Sequence, residues 1–116
     1  MMAHRSRAKG DQFERDVVAF LRAHGHRYVE RAYGAGRLDD HGDIDGIVGW
    51  TIQCRNRGRL DLAGALDDAE RQRTTGTRAT PCACAILKRR GRAVRDAYVV
   101  MTLAQFTALL ADDLTR

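Results

Sequence analysis

Within "GDIDGIVGWTIQCRN", residues 42–56, Asp43 and Asp45 stand two positions apart, and so do Gln53 and Arg55. Successive side chains of a strand point to opposite faces, so each pair shares a face, and pairing of the two strands would let four polar groups converge. Burial without partners costs about 1–3 kcal/mol per unsatisfied group, and more for a charge, so a cation among them would resolve the conflict. Carboxylates with an amide oxygen form a hard, oxygen-only donor set. Such a set suits Mg2+, with Mn2+ able to substitute and the remaining positions left to water and substrate phosphate. The plainer alternative for "GDIDG" is a turn whose aspartates bond the local backbone.

These residues need elements to hold them. Phe13, Val17, Phe20 and Leu21 fall at helical spacing, with Asp11 as N-cap, Glu14 three residues on and Gly25 at the end, which predicts a first helix from Asp11. Glu14 is in line with Val18 and Leu21 at the edge of the buried stripe, so its carboxylate can lean toward the sheet. Alternatively, it only completes a capping box. "RYVERA" alternates as a strand, and "YGAGRLDDHG" is a loop. Residues 43–48 and 50–55 predict a hairpin turning at Val48-Gly49.

"LDLAGALDDAERQR" places Leu62, Leu66 and Ala69 on one face of a second helix that stops at "TTGT". Pro81 opens "CACAILK", an apolar run suited to a central strand, and "KRRG" turns the chain. "DAYVVMT" is a further strand. Thr102 then caps a last helix with Gln105 at the capping-box position and Phe106, Leu109, Leu110 and Leu114 along one side. The predicted order is α-β-β-β-α-β-β-α, a central mixed β-sheet flanked by helices in one α/β domain over residues 11–116, preceded by a flexible basic arm at 1–10.

A formal charge of +5 and a pI near 9.6 favour an anionic partner, nucleic acid foremost. Eighteen of the twenty basic residues are arginine. Arg5, Arg7 and Lys9 in the arm, Arg37 and His41 before the acids, Arg57 and Arg59 after the motif, and Lys88, Arg89, Arg90 and Arg92 in "LKRRGR" are candidate backbone contacts, or simply solvated charge. With only 6% aromatic residues to interrupt these charges, duplex shape is a better target than stacked single strands. His24 and His26 flank Gly25 as a helix cap rather than as metal ligands, and Trp50 beside the hairpin turn could anchor an interface or merely cover a strand edge. Three cysteines, with Cys82 and Cys84 reading as core thiols, exclude a disulfide framework, and no apolar run of about 20 residues could span a bilayer. The expectation is a cytoplasmic protein in a bacterial or phage-infected cell, with no membrane partner.

Glu14 on the first helix, Asp43 opening a strand and "IQCRN" on the next together resemble the core of the PD-(D/E)XK nucleases, where an acid precedes a strand pair ending in acid-x-lysine. The order agrees over roughly residues 11–100. "FERDVVAFLRAHGHRYVERA" is similar to archaeal-type Holliday junction resolvases and small phage-encoded resolvase-like nucleases, and "IDGI" with "IQCR" to Mrr-type nucleases, where glutamine stands in the acid position.

The resemblance implies a restriction-endonuclease-like core and a Mg2+-dependent endonuclease acting on duplex or branched DNA as a homodimer. Asp43 and Gln53 would be metal ligands, joined by the Cys54 carbonyl and by Glu14 directly or through water. Aligning on "GDI" favours Asp43 and on "IDG" favours Asp45, so both stay candidates. Gln53 and Arg55 depart from the family's carboxylate and lysine. Arginine keeps the positive charge but cannot serve as a base. Two alternatives remain: an Mrr-like or general duplex nuclease, and a catalytically degenerate DNA-binding protein of the same fold.

Overall fold

A computed structural model of the chain describes residues 2–32, 43–75 and 79–114, with the side chains of 2–7, 113 and 114 left out of the description. Nine elements follow one another: α1 (Met2–Ala23), β1 (Glu30–Arg31), β2 (Ile44–Asp45), β3 (Trp50–Arg55), α2 (Leu62–Thr74), β4 (Cys82–Leu87), a 3-10 turn η1 (Val94–Asp96), β5 (Tyr98–Val100) and α3 (Leu103–Leu114). The five strands form one mixed sheet in chain order. Neighbours are antiparallel except β3 and β4, which run parallel with α2 as their crossover. The chain is therefore an α/β domain with a five-stranded mixed sheet and three helices, and η1 is an element that the predicted order lacks.

Helix α1 begins nine residues before the predicted start. Ala3, Arg5, Arg7, Ala8 and Lys9 are good helix formers with no proline among them, so residues 2–10, expected as an arm, continue the helix across Gly10. Asp11 is consequently mid-helix and not an N-cap. Phe13, Val17 and Val18 of α1 pack with Val29, Ile44, Ile52, Cys54 and Cys84 on one face of the sheet. At its end Gly25, at φ 99°, lets His26 N–H return to the Leu21 carbonyl, and His24 Nδ1 bonds the Phe20 carbonyl at 2.8 Å, the capping role expected of this pair.

On the other face α2 packs through Ala65 against Ala85 and Leu87, and its Ala69 is buried as well. The predicted stripe of Leu62, Leu66 and Ala69 is corrected here: Leu62 is exposed and Leu66 only half-buried, because small alanines let the helix axis approach the sheet more closely than leucines would. Strand β4 lies between two neighbours, as its apolar run predicts, and Cys84 belongs to the core. The predicted hairpin forms with Ile44 opposite Ile52, but its first strand ends at Asp45 and not at residue 48, because Gly46, at φ 98°, leaves the strand and passes so close to the Tyr28 carbonyl that no side chain would fit there. Among the described residues no helix is long and apolar enough to cross a membrane.

Helix α3 starts as its sequence predicts, with Thr102 Oγ1 accepting the Gln105 N–H at 3.0 Å. The Gln105 side chain does not close a capping box. Its Oε1 accepts the Ala83 N–H at 3.3 Å, covering the part of β4 that β5 does not reach. Otherwise α3 is lightly packed and exposes Leu103, Phe106, Leu109 and Leu110.

Candidate functional site

Strands β2 and β3 hold the motif residues at one end of the sheet. Asp43 precedes β2, and its N–H bonds the Ile52 carbonyl at 2.8 Å, which fixes its backbone against β3. Its carboxylate then reaches across the strand end: Oδ2 accepts the Cys54 N–H at 2.8 Å and Arg55 Nη1 at 3.0 Å. The same Nη1 lies 2.7 Å from Gln53 Oε1 and 2.8 Å from the Cys54 carbonyl. Oxygens from an acid, an amide and a backbone carbonyl thus surround one nitrogen.

Gln53 is 1% exposed on β3, where it lies between the core residues Ile52 and Cys54, and its Nε2 is buried without a hydrogen-bond partner. An amide with one satisfied end is an uncommon element of a core, and it holds an acceptor at the site at the expense of a donor.

Helix α1 brings Glu14 to the same place. A cleft of about 650 Å3 is lined by Lys9, Gly10, Glu14, Asp43, Cys54, Arg55, Asn56, Arg57 and Gly58. Withdrawal from solvent, reinforced by the charge of Asp43 and opposed by Arg31, lifts the Glu14 carboxyl from 4.5 to about 7. Burial likewise raises the Cys54 thiol, so its sulfur is inert and only its backbone serves the site.

Asp45 does not join this group. Its Oδ1 accepts the neighbouring Gly46 N–H at 2.9 Å, and it lines a different cavity with Tyr28, Val48 and Trp50 at the hairpin turn. Sharing a face with Asp43 was insufficient, because two residues displace it about 6.6 Å along the strand. The turn alternative for "GDIDG" holds for Asp45, and the converging alternative for Asp43.

Two residues belong to the site that the sequence did not single out. Arg31 of β1 puts Nη2 2.8 Å from Asp11 Oδ1 and 3.6 Å from Glu14 Oε2, steadying the helix carboxylates. Asp68 of α2 accepts Arg55 Nη2 at 3.1 Å on Oδ2 and Arg71 Nη2 at 2.9 Å on Oδ1, and the hydrogen bond from Arg55 is the main cause of its lowered pKa. Strand alternation with Val29 could have placed Arg31 inward. Asp68 becomes visible only once Ala65 and Ala69 are known as the packed face, since 65, 68 and 69 share a stripe.

Basic groups surround the cleft. Arg57 also borders a cavity with Lys9, Lys88 and Arg90 and another with Arg89, Arg92 and Tyr98, over whose ring Arg89 lies at 5.1 Å. Arg59 lines the α2 side with Arg55. The side chains of Arg5 and Arg7, and all of Arg37 and His41, lie outside the described residues.

As a donor set, two carboxylates, an amide oxygen and a backbone carbonyl fit a hard divalent ion, and the convergence of three of these oxygens on one cationic nitrogen is the observation that supports the fit. Among the described residues there is no cluster of three or more His, Cys, Asp or Glu side chains that could hold a metal, as Gln53 and the Cys54 carbonyl are of neither kind. Comparison of the chain with family models, curated proteins and solved structures finds no match.

Proposed function

We propose that the chain is a metal-dependent DNA endonuclease of the PD-(D/E)XK kind with a restriction-endonuclease-like core, hydrolysing phosphodiester bonds in branched or duplex DNA. The observation that carries this reading is the meeting of Asp43 Oδ2, Gln53 Oε1 and the Cys54 carbonyl around Arg55 Nη1, at the wall of a cleft that Asp43 and Arg55 line together with Glu14, Lys9 and Arg57. Asp43, Gln53 and the Cys54 carbonyl would hold Mg2+ or Mn2+, with Glu14 beside them. Such an ion polarises the scissile phosphate and makes water a better nucleophile.

The chain's own groups do the rest. Arg55 stays protonated and donates to phosphate oxygens as negative charge develops on them, without acting as a base. Glu14, on the wall of the same cleft, orients the attacking water. Lys9, Arg57, Lys88 and Arg90 grip the backbone on either side, which supplies affinity without base specificity.

A subunit of 13.0 kDa with one such site cuts both strands only by pairing or by acting twice. A homodimer through α3 and β5 fits. Leu103, Phe106, Leu109 and Leu110 leave an apolar stripe open on α3, and Val99 of the edge strand is likewise exposed.

Four-way junction, linear and methylated DNA compared in one gel with Mg2+ test the reading. Cleavage that depends on Asp43 is expected, fastest on the junction. The second reading, a binding module without catalysis, is favoured by the guanidinium already neutralising the oxygens that would hold the ion. It requires no saturable Mn2+ binding by calorimetry.

A further inference from the structure

Arg55 Nη1 has more acceptors than hydrogens. It lies 2.7 Å from Gln53 Oε1, 2.8 Å from the Cys54 carbonyl and 3.0 Å from Asp43 Oδ2, while a guanidinium nitrogen of this type carries two hydrogens fixed in the plane of the fork. At most two of the three oxygens receive a well-directed bond. A spherical ion has no such limit and satisfies all three. An ion at this point would take all three oxygens at once, after they close in from the hydrogen-bond distances at which they surround the guanidinium nitrogen.

The rest of the guanidinium is anchored away from these oxygens. Nη2 bonds Asp68 Oδ2 at 3.1 Å, and Asp68 is itself steadied by Arg71. Arg55 also forms the wall between two cavities, since it lines both the cleft with Glu14 and Asp43 and a second space of about 240 Å3 with Arg57, Arg59, Asp61 and Asp68. There is room on the α2 side for the side chain to pivot about its bond to Asp68.

We propose that Arg55 is the resident counter-ion of the oxygen cradle, displaced by an entering divalent ion, and that Asp68 is the positioning residue that holds the displaced guanidinium on the α2 side. The inference rests on the reading that the cradle binds such an ion. Arg55 thereby has a second role, because in the ion-free protein it places a positive charge against the Asp43 carboxylate and the Gln53 and Cys54 oxygens. Once displaced, it lies wholly in the space that it already lines with Arg57 and Arg59.

The test is Mn2+ titration by calorimetry on the full chain, without DNA, for the wild type and the Arg55→Met, Asp68→Asn, Arg57→Met and Asp43→Asn variants, with circular dichroism confirming each fold. Removing the competitor should tighten Mn2+ binding about tenfold in Arg55→Met, the order expected for one charge-assisted hydrogen bond. Asp68→Asn, which leaves the guanidinium no charged post, should weaken it severalfold. Arg57→Met removes a nearby charge that does not touch the cradle and should change little. Equal or weaker binding in Arg55→Met, or equal tightening in Arg57→Met, would overturn the competition while leaving the ion site standing. If neither the wild type nor Arg55→Met shows saturable binding that Asp43→Asn removes, the ion site itself falls, and the inference with it.

Discussion

Asp43 Oδ2 holds the Cys54 N–H at 2.8 Å and Arg55 Nη1 at 3.0 Å, so one carboxylate oxygen ties the start of β2 to the end of β3. The carboxylate thus has a structural role as well as a chemical one. In Asp43→Ala the Cys54 N–H and Arg55 lose an acceptor, which should lower stability by about 1–3 kcal/mol, and Asp43→Asn, which keeps an acceptor, should lose less. Urea denaturation measures the difference. In DNA assays both variants should lose Mg2+-dependent cleavage and retain binding, and undiminished cleavage would reject the site.

Glu14 makes stability depend on pH in a direction unusual for a carboxylate. Its carboxyl titrates at about 7 in the fold against 4.5, because burial and the neighbouring Asp43 charge disfavour the ionised form. Between these values the folded chain holds a proton that the unfolded chain has released. The contribution is complete below pH 4.5 and is lost as pH rises through 7. The urea midpoint of the wild type should therefore fall relative to Glu14→Gln from about pH 4.5 to about 8. A constant difference across that range would mean that the carboxyl titrates normally.

Gln53→Glu replaces a buried amide whose Nε2 has no partner with the carboxylate that the nuclease motif ordinarily carries. The unpartnered donor disappears and Arg55 gains a charged acceptor, which offsets the cost of burying the charge, so stability should change by less than about 2 kcal/mol. Mn2+ affinity and cleavage rate should both rise, the latter in single-turnover assays at saturating Mn2+. Weaker Mn2+ binding would show that Gln53 does not face the ion.

Phe106 is 48% exposed on a helix that leans lightly on the sheet. Phe106→Asp should cost the isolated fold less than about 1 kcal/mol, as expected of an exposed position, yet convert a dimer to a monomer in sedimentation velocity. A wild-type chain that sediments as a monomer at tens of micromolar would exclude α3 as the contact.

Much of the architecture was legible in the residue order. The apolar run "CACAIL" suited a covered strand, the Thr102 cap marked the start of α3, and the Val48-Gly49 break between two alternating runs marked a hairpin. Boundaries were less legible. Residues 2–10 carry no apolar periodicity, so nothing in their pattern distinguishes a helix from an arm, although their helix propensity permits the former.

What the sequence determined by itself was the set of chemical groups and their faces: acids, amide and guanidinium at even spacings on adjacent strands, and a carboxylate on the inward edge of the first helix. Depth along the sheet, and which neighbours complete the group, only the tertiary structure decided. A period of two residues says which way a side chain points but not how far along the sheet it lies, so Asp43 and Asp45 looked alike until the register of Ile44 with Ile52 set one beside Arg55 and left the other at the turn. Asp68 was invisible for the same reason, since α2 approaches the sheet through small alanines, and alternation with Val29 could turn Arg31 inward without saying that it would meet Glu14.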